Sequence, residues 1–300
     1  MDPIRVVVRR GGVVEAVHDV HAVAVQDGAV VAEAGDPMLV TLLRSSAKPF
    51  QALPLVRARD DLGELDIAIA SASHLASPEQ LDAVRALLAK APAEEEELEL
   101  GTVGDGSGPT KLHHNCSGKH AGMLALCRGR GWESRGYHLM SHPVQRACLA
   151  EIATAADADT GELAVAIDGC AVPTFALPLE RMALMFSRLE SIDGGARVAS
   201  AMRAYPELIR GPRAADVLLM QELDGFTAKG GAEGLMCATG PNGLGLALKV
   251  EDGATRAVRS ALAELLARLG FETGELGVVQ LENSLGEPVG EIVSERSASG

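Results

Sequence analysis

Lysine is scarce in this chain: six of its 27 basic side chains are lysine and the rest are arginine. Lysines that persist in short patterned motifs therefore point to a task that a permanently charged guanidinium cannot perform. A buried amine can lose its proton and then serve as base to a hydroxyl or as a metal donor. Aromatic residues make up 3% and the net charge is -14, which excludes the basic, aromatic-interleaved stripe of a nucleic-acid binder. No apolar run reaches the length of a spanning helix. The segment Met1-Asp2-Pro3-Ile4-Arg5-Val6 lacks the features of a signal peptide, so a cytoplasmic protein with no membrane partner is expected. Five cysteines, an odd number, argue against a disulfide framework and for thiols that are buried, reactive or metal-bound.

With 300 residues, 47% of them apolar, the chain can bury a sizeable core in one large domain or two packed lobes. β-Branched runs over residues 4 to 34, broken at Gly11-Gly12 and Asp27-Gly28, predict an antiparallel meander. Pro49 belongs in the first turn of a helix that would start near Ser45. Leu65 to Ala70 reads as a buried strand. Ser77-Pro78-Glu79-Gln80 is a capping box opening a helix to Lys90, which leaves Ser73 and His74 in the turn before it. The acidic run Glu94 to Glu97 reads as a solvated loop, and Gly104-x-Gly106-x-Gly108 as a flexible loop without the strand and helix of a phosphate site.

Helices dominate from 118 to 222, including Val144 to Ala156 and Leu179 to Leu189, with a strand Leu163 to Ile167 delivering Asp168-Gly169-Cys170. Sheet returns over Gly234 to Ala238 and Gly243 to Val250, and a long helix follows from Gly253 to Leu269. The predicted fold is α/β (α+β): an antiparallel sheet from the N- and C-terminal segments packed with a helical middle. One catalytic domain spans 1–290, with its helical lobe over about 113–222, and 291–300 is a disordered tail.

Several motifs carry chemistry on one reading and none on another. Ser45 and Lys48, three apart, share a helical face on which the amine can reach the hydroxyl; the alternative is an exposed helix start. Ser73 and His74, adjacent on a strand, point oppositely and cannot share a proton, so Ser73 has either a separate role or a capping one. Cys116-x-x-Lys119 with Cys170 offers two thiolates and an amine to zinc, or else two inert buried cysteines. Cys127, Cys148 and Cys237 fall in apolar runs and read as core. Lys229-Gly230-Gly231 permits close approach of a ligand or is a plain turn, and Asp168-Gly169 holds a substrate ammonium or closes a turn.

Taken in order, Arg44-Ser45-x-x-Lys48-Pro49-x-Gln51, Ala72-Ser73-His74, Asn115-Cys116-Ser117-Gly118-Lys119-His120-Ala121-Gly122, Asp168-Gly169-Cys170-x-x-Pro173 and Lys229-Gly230-Gly231-Ala232-Glu233-Gly234 resemble the asparaginase II family, the rhizobial-type or class 3 L-asparaginases. The resemblance spans about residues 5 to 270. It implies a fold similar to serine β-lactamases and serine-dependent glutaminases, hydrolysis of L-asparagine to L-aspartate and ammonia, and a homodimer. It implies two serine-lysine pairs, Ser45 with Lys48 and Ser73 with Lys229, either serine being able to attack. It further implies zinc held by Cys116, Lys119 and Cys170 with water as fourth ligand, Asp168 on the substrate ammonium, and Arg44 and His120 lining the site. On this reading zinc positions substrate rather than supplying the nucleophile. Two departures stand out: Leu75-Ala76-Ser77 replaces the family's Ser-Gly-Glu after Ser73-His74, and Ala171 replaces a glycine after Asp168-Gly169-Cys170. A glutaminase or other acyl-transfer amidohydrolase on the same scaffold, or a catalytically silent asparagine sensor, are the alternatives; retention of the lysines disfavours the sensor.

Overall fold

The computed structural model describes residues 1–104 and 108–295. They form two compact units: Met1–Thr41, Pro178–Ser187 and the chain from Arg213 onward make one, Leu42–Leu177 and Arg188–Pro212 the other. The architecture is mixed α/β, as expected, and among the described residues no helix is long and apolar enough to cross a membrane.

The first unit is built on an eight-stranded antiparallel sheet ordered Val279–Glu282, Pro288–Glu295, Ile4–Arg10, Val13–Gln26, Leu244–Val250, Leu235–Gly240, Thr227–Gly230, with Ala29–Ala34 paired beside Val13–Gln26. N- and C-terminal segments thus interleave, as predicted. The first hairpins turn at Gly11-Gly12 and Asp27-Gly28, all four residues at positive φ, the geometry that two-residue turns of this composition favour. Ile4, Val6 and Val8, alternating along one strand, pack with Met236, Leu246 and Leu248 against Leu262, Leu265 and Leu266 of helix Val258–Arg268. Period-two and helical apolar patterns meet there in one core.

The second unit is mostly helical, and its helices begin well before residue 113. The 3-10 turn Arg44–Ala47 runs into helix Lys48–Gln51 with Pro49 in its first turn, then Leu53–Ala58, Glu64–Ala70 and Pro78–Lys90. Helices Ser117–Arg130, Pro143–Ala156 and Gly195–Ala204 follow, and strand Val165–Ile167 pairs antiparallel with Pro173–Pro178. The capping box forms as read: Gln80 N–H donates to Ser77 Oγ at 3.3 Å and Ser77 N–H to Gln80 Oε1 at 3.0 Å.

Two expectations are corrected. Leu65 to Ala70 is helix, because Asp66 caps its first turn by accepting from Gly63 N–H at 2.8 Å and Lys90 reaches the same carboxylate oxygen at 2.6 Å. A six-residue apolar run carries no periodicity that separates strand from helix. Glu291 to Glu295, expected in the tail, completes a strand on Ile4–Arg10, with Arg9 on Glu295 at 2.5 Å. The remaining tail, 296–300, and Gly106 of the glycine loop lie outside the described residues. Val103–Gly104 and Pro109–Thr110 pair antiparallel around that loop.

Candidate active site

Lys48 is buried, and its Nζ donates to Ala72 O and lies 2.9 Å from Ser73 Oγ. Its serine partner is therefore Ser73, which sits in the turn after helix Glu64–Ala70. Among the described residues no hydrogen bond joins Ser45 Oγ to Lys48, so the pairing read from their three-residue spacing is not the one that forms. The amine is drawn across the unit toward a backbone carbonyl and a hydroxyl that local spacing does not reveal. Burial lowers the Lys48 pKa, while Cys116 and Cys170 oppose and Lys119 reinforces the shift. Lowering moves the amine toward the neutral base that a serine needs.

The Asn115–Gly122 motif forms the start of helix Ser117–Arg130 with Cys116 at its N-cap. Its glycines serve packing: a Cβ on Gly118 would stand 2.2 Å from Ile69 O, and one on Gly122 2.9 Å from Ala70 Cβ. This close approach sets Cys116 and Lys119 beside the Ser73 turn. Lys119 Nζ lies 2.9 Å from Cys170 Sγ, and Cys170 arrives on the turn after strand Val165–Ile167, as read. A hydrogen bond from the Cys170 thiol holds the Cys116 pKa well below its ordinary value, against burial, with Lys48 and Lys119 adding attraction. The same bond and burial push Cys170 up. Burial disfavours the Lys119 ammonium, but the two sulfurs and the 2.9 Å contact outweigh it and raise its pKa. By contrast burial pushes Cys127 up to about 11 and Cys148 up to about 12, as inert core thiols.

Cys116, Lys119 and Cys170 are all buried and mutually in reach, and two sulfurs with one amine suit a thiophilic metal such as zinc. Among the described residues no three His, Cys, Asp or Glu side chains gather as metal donors; the lysine is what makes this trio.

Arg44 takes φ +47, its N–H donates to Thr174 Oγ1 at 2.9 Å, and its Nε donates to Asp168 Oδ1 at 2.7 Å. A non-glycine residue held there is strained and needs such anchors. Asp168 also accepts from Gly169 N–H at 2.7 Å and helps raise the Lys119 pKa, so the Arg44–Asp168 pair adjoins the thiol cluster. Both departures from the family pattern fall at left-handed backbone: Ala76 has φ +60 and Ala171 φ +71. Each alanine stands where glycine is unstrained. Ala171→Gly should stabilise the protein by roughly 0.5–1 kcal/mol, after allowing for glycine's freer unfolded chain. Denaturant melts check this, and a lowered midpoint would contradict it.

His74 and Ser73 diverge, as expected, in the turn before helix Pro78–Lys90. His74 Nδ1 accepts from Ala76 N–H at 3.1 Å, Nε2 lies 2.8 Å from Ser117 Oγ, and Ser117 donates onward to Leu112 O at 2.8 Å. That direction makes His74 a neutral donor through Nε2, and burial lowers its pKa to about 4. It ties the Ser73 turn to the helix start bearing Cys116. His120 is buried, with Nδ1 2.7 Å from Tyr137 OH, and burial beside Lys119 holds its pKa well below the usual value.

Sequence reasoning missed Thr174, Tyr137 and Asp216. In the sheet unit Lys229 is fully buried 3.7 Å from Asp216 Oδ2, and donates to Gly230 O at 2.8 Å. A carboxylate set within the otherwise apolar stretch 215–220 of helix Ala215–Glu222 was the available signal. The acidic run is also less idle than expected: Glu95 accepts from Lys111 N–H at 2.8 Å, and Glu97 pairs with Arg128 at 2.7 Å, fastening the loop ahead of Cys116.

Among solved structures the chain is similar to a β-lactamase from Mycobacterium bovis, at 16% identity over 84% of this chain and 95% of that one with TM-score 0.36. It is also similar to Mglu in its tris and glutamate form, at 18% identity over 92% of this chain and 66% of that one with TM-score 0.38. No curated protein matches the chain. The L-asparaginase II family model matches residues 6–294, and with nearly the whole length accounted for, the chain belongs to the L-asparaginase II family.

Proposed function

We propose that this protein, an amidohydrolase by family, hydrolyses L-asparagine to L-aspartate and ammonia with Ser73 as nucleophile and Lys48 as its base. The observation that carries the reading is the 2.9 Å contact between Lys48 Nζ and Ser73 Oγ. In the neutral amine one N–H is spent on Ala72 O, which leaves the lone pair for the Ser73 proton. Ser73 Oγ attacks the side-chain amide carbon, and the proton held by Lys48 passes to the departing nitrogen as ammonia leaves. Water then enters by the same route and cleaves the ester, returning the proton to Ser73.

Arg44 and Asp168 offer opposite charges to the two poles of an amino-acid zwitterion, Asp168 for the α-ammonium and Arg44 for the α-carboxylate. Cys116, Lys119 and Cys170 would hold zinc; when bound, the metal supplies a fixed positive charge that keeps both sulfurs ionised and orients a substrate oxygen. Ammonia release should be much faster from L-asparagine than from L-glutamine or D-asparagine in parallel assays. Equal or faster release from L-glutamine would move the protein to the glutaminase alternative. Tight asparagine binding without hydrolysis would make it a sensor.

A further inference from the structure

Tyr137 is fully buried and its hydroxyl has two neighbours: Glu99 N–H, which donates to it at 2.8 Å, and His120 Nδ1 at 2.7 Å. The hydroxyl has one proton to give. If it goes to His120 Nδ1, then Glu99 N–H, the hydroxyl and Nδ1 are all matched and the imidazole proton sits on Nε2. If the proton sat on Nδ1 instead, the phenol would receive two donors and its own hydrogen would have no acceptor, while Nε2 would become a second unmatched atom. Each buried orphan carries the desolvation penalty of its group, so the arrangement with fewer of them wins. It leaves one orphan, His120 Nε2, which is buried and has no hydrogen-bond partner among the described residues.

The segment around Tyr137 is fastened for this task. The Glu99 carboxylate accepts from Gly136 N–H at 2.8 Å and lies 2.5 Å from His138 Nδ1, which clamps the residues on either side of Tyr137. Gln145 donates to Tyr137 O at 2.8 Å, and the tyrosine ring meets His120 edge to face at 5.5 Å. His120 in turn follows Lys119, whose amine lies on Cys170. A buried donor without an internal acceptor calls for a partner from outside the chain, whether water, ion or bound molecule.

We propose that Tyr137 is a positioning residue: it fixes His120 as the Nε2–H tautomer and so presents that N–H as a hydrogen-bond donor to an oxygen of the bound amino-acid amide. The substrate part of this rests on the amidohydrolase reading above; the tautomer part does not.

Long-range proton–nitrogen correlation spectra of histidine-labelled protein read the tautomer directly, with the His120 signals assigned by their loss in His120→Gln. The wild-type protein should show His120 protonated on Nε2, and adding the product L-aspartate should shift that proton. Tyr137→Phe should release the ring into a mixture of tautomers and lower kcat/KM about ten-fold, the worth of one oriented hydrogen bond. His120→Gln, whose amide nitrogen falls where Nε2 was, should retain more activity than His120→Asn, whose amide falls at Nδ1. A wild-type spectrum with the proton on Nδ1, or a folded Tyr137→Phe variant with unchanged tautomer and kinetics, overturns the proposal. If Tyr137→Phe does not fold, the wild-type spectrum and the order of the two His120 variants decide. Absence of any amide hydrolysis with the Nε2–H tautomer present overturns the substrate role and the amidohydrolase reading, but leaves the tautomer assignment standing.

Discussion

Lys48→Met should lower asparagine hydrolysis by about 10³-fold, within the range that a positioned general base contributes, while thermal melts show the fold retained. Methionine keeps most of the buried stem and removes the amine that lies 2.9 Å from Ser73 Oγ. Ser73→Ala should lose as much, and the double substitution should be little worse than either, because a nucleophile and its base act as one unit. Ser45→Ala is the informative control. It sits half-buried in the 3-10 turn one residue beyond Arg44, and its loss should cost less than that of Ser73. If Ser73→Ala keeps most of the activity and Ser45→Ala abolishes it, the attacking hydroxyl is Ser45, and the contact between Lys48 and Ser73 is structural.

The largest effect on stability is expected at Asp216→Ala, about 3–5 kcal/mol, the usual consequence of leaving one member of a buried ion pair without its partner. Both Asp216 and Lys229 are buried, 1% and 0% exposed. The carboxylate also accepts from Gly230 N–H at 2.9 Å and Val217 N–H at 3.2 Å, and those backbone donors lose their acceptor with it. Urea unfolding followed by circular dichroism measures the change. In the Lys229→Met background the same substitution should cost distinctly less, since the charge that Asp216 faces at 3.7 Å is then already gone. Equal costs in both backgrounds would show that Asp216 stabilises through its backbone contacts and that the ion pair contributes little.

Much of the architecture was legible because it is written locally. The Ser77–Gln80 capping box and the Asp27-Gly28 turn depend on residues two or three positions apart, and both form as read. The interleaved sheet followed from β-branched runs over residues 4 to 34 and apolar runs flanking the 240–243 turn near the other end. Glu64–Ala70 was misread because its apolar run is too short to show a period, and what selects helix is a cap at Gly63 together with a packing partner in Gly118. The strand through Glu295 was misread for a different reason: its charged composition resembles a loose end, and backbone pairing to Ile4–Arg10 holds it.

The candidate site divides the same way. Sequence alone determined which residues are chemically equipped: lysines kept where arginine would serve as charge, cysteines spaced about Lys119, an aspartate at a strand end. Only the tertiary structure decided who meets whom. Lys48 passes over the serine three residues away for one 25 residues on, Lys119 reaches a thiol 51 residues away, and the proton on His120 is assigned by a tyrosine 17 residues later. Side-chain chemistry is a property of each residue, whereas protonation, tautomer and partnership follow from burial and from the few polar groups left within 3 Å or so of one another once the backbone has closed.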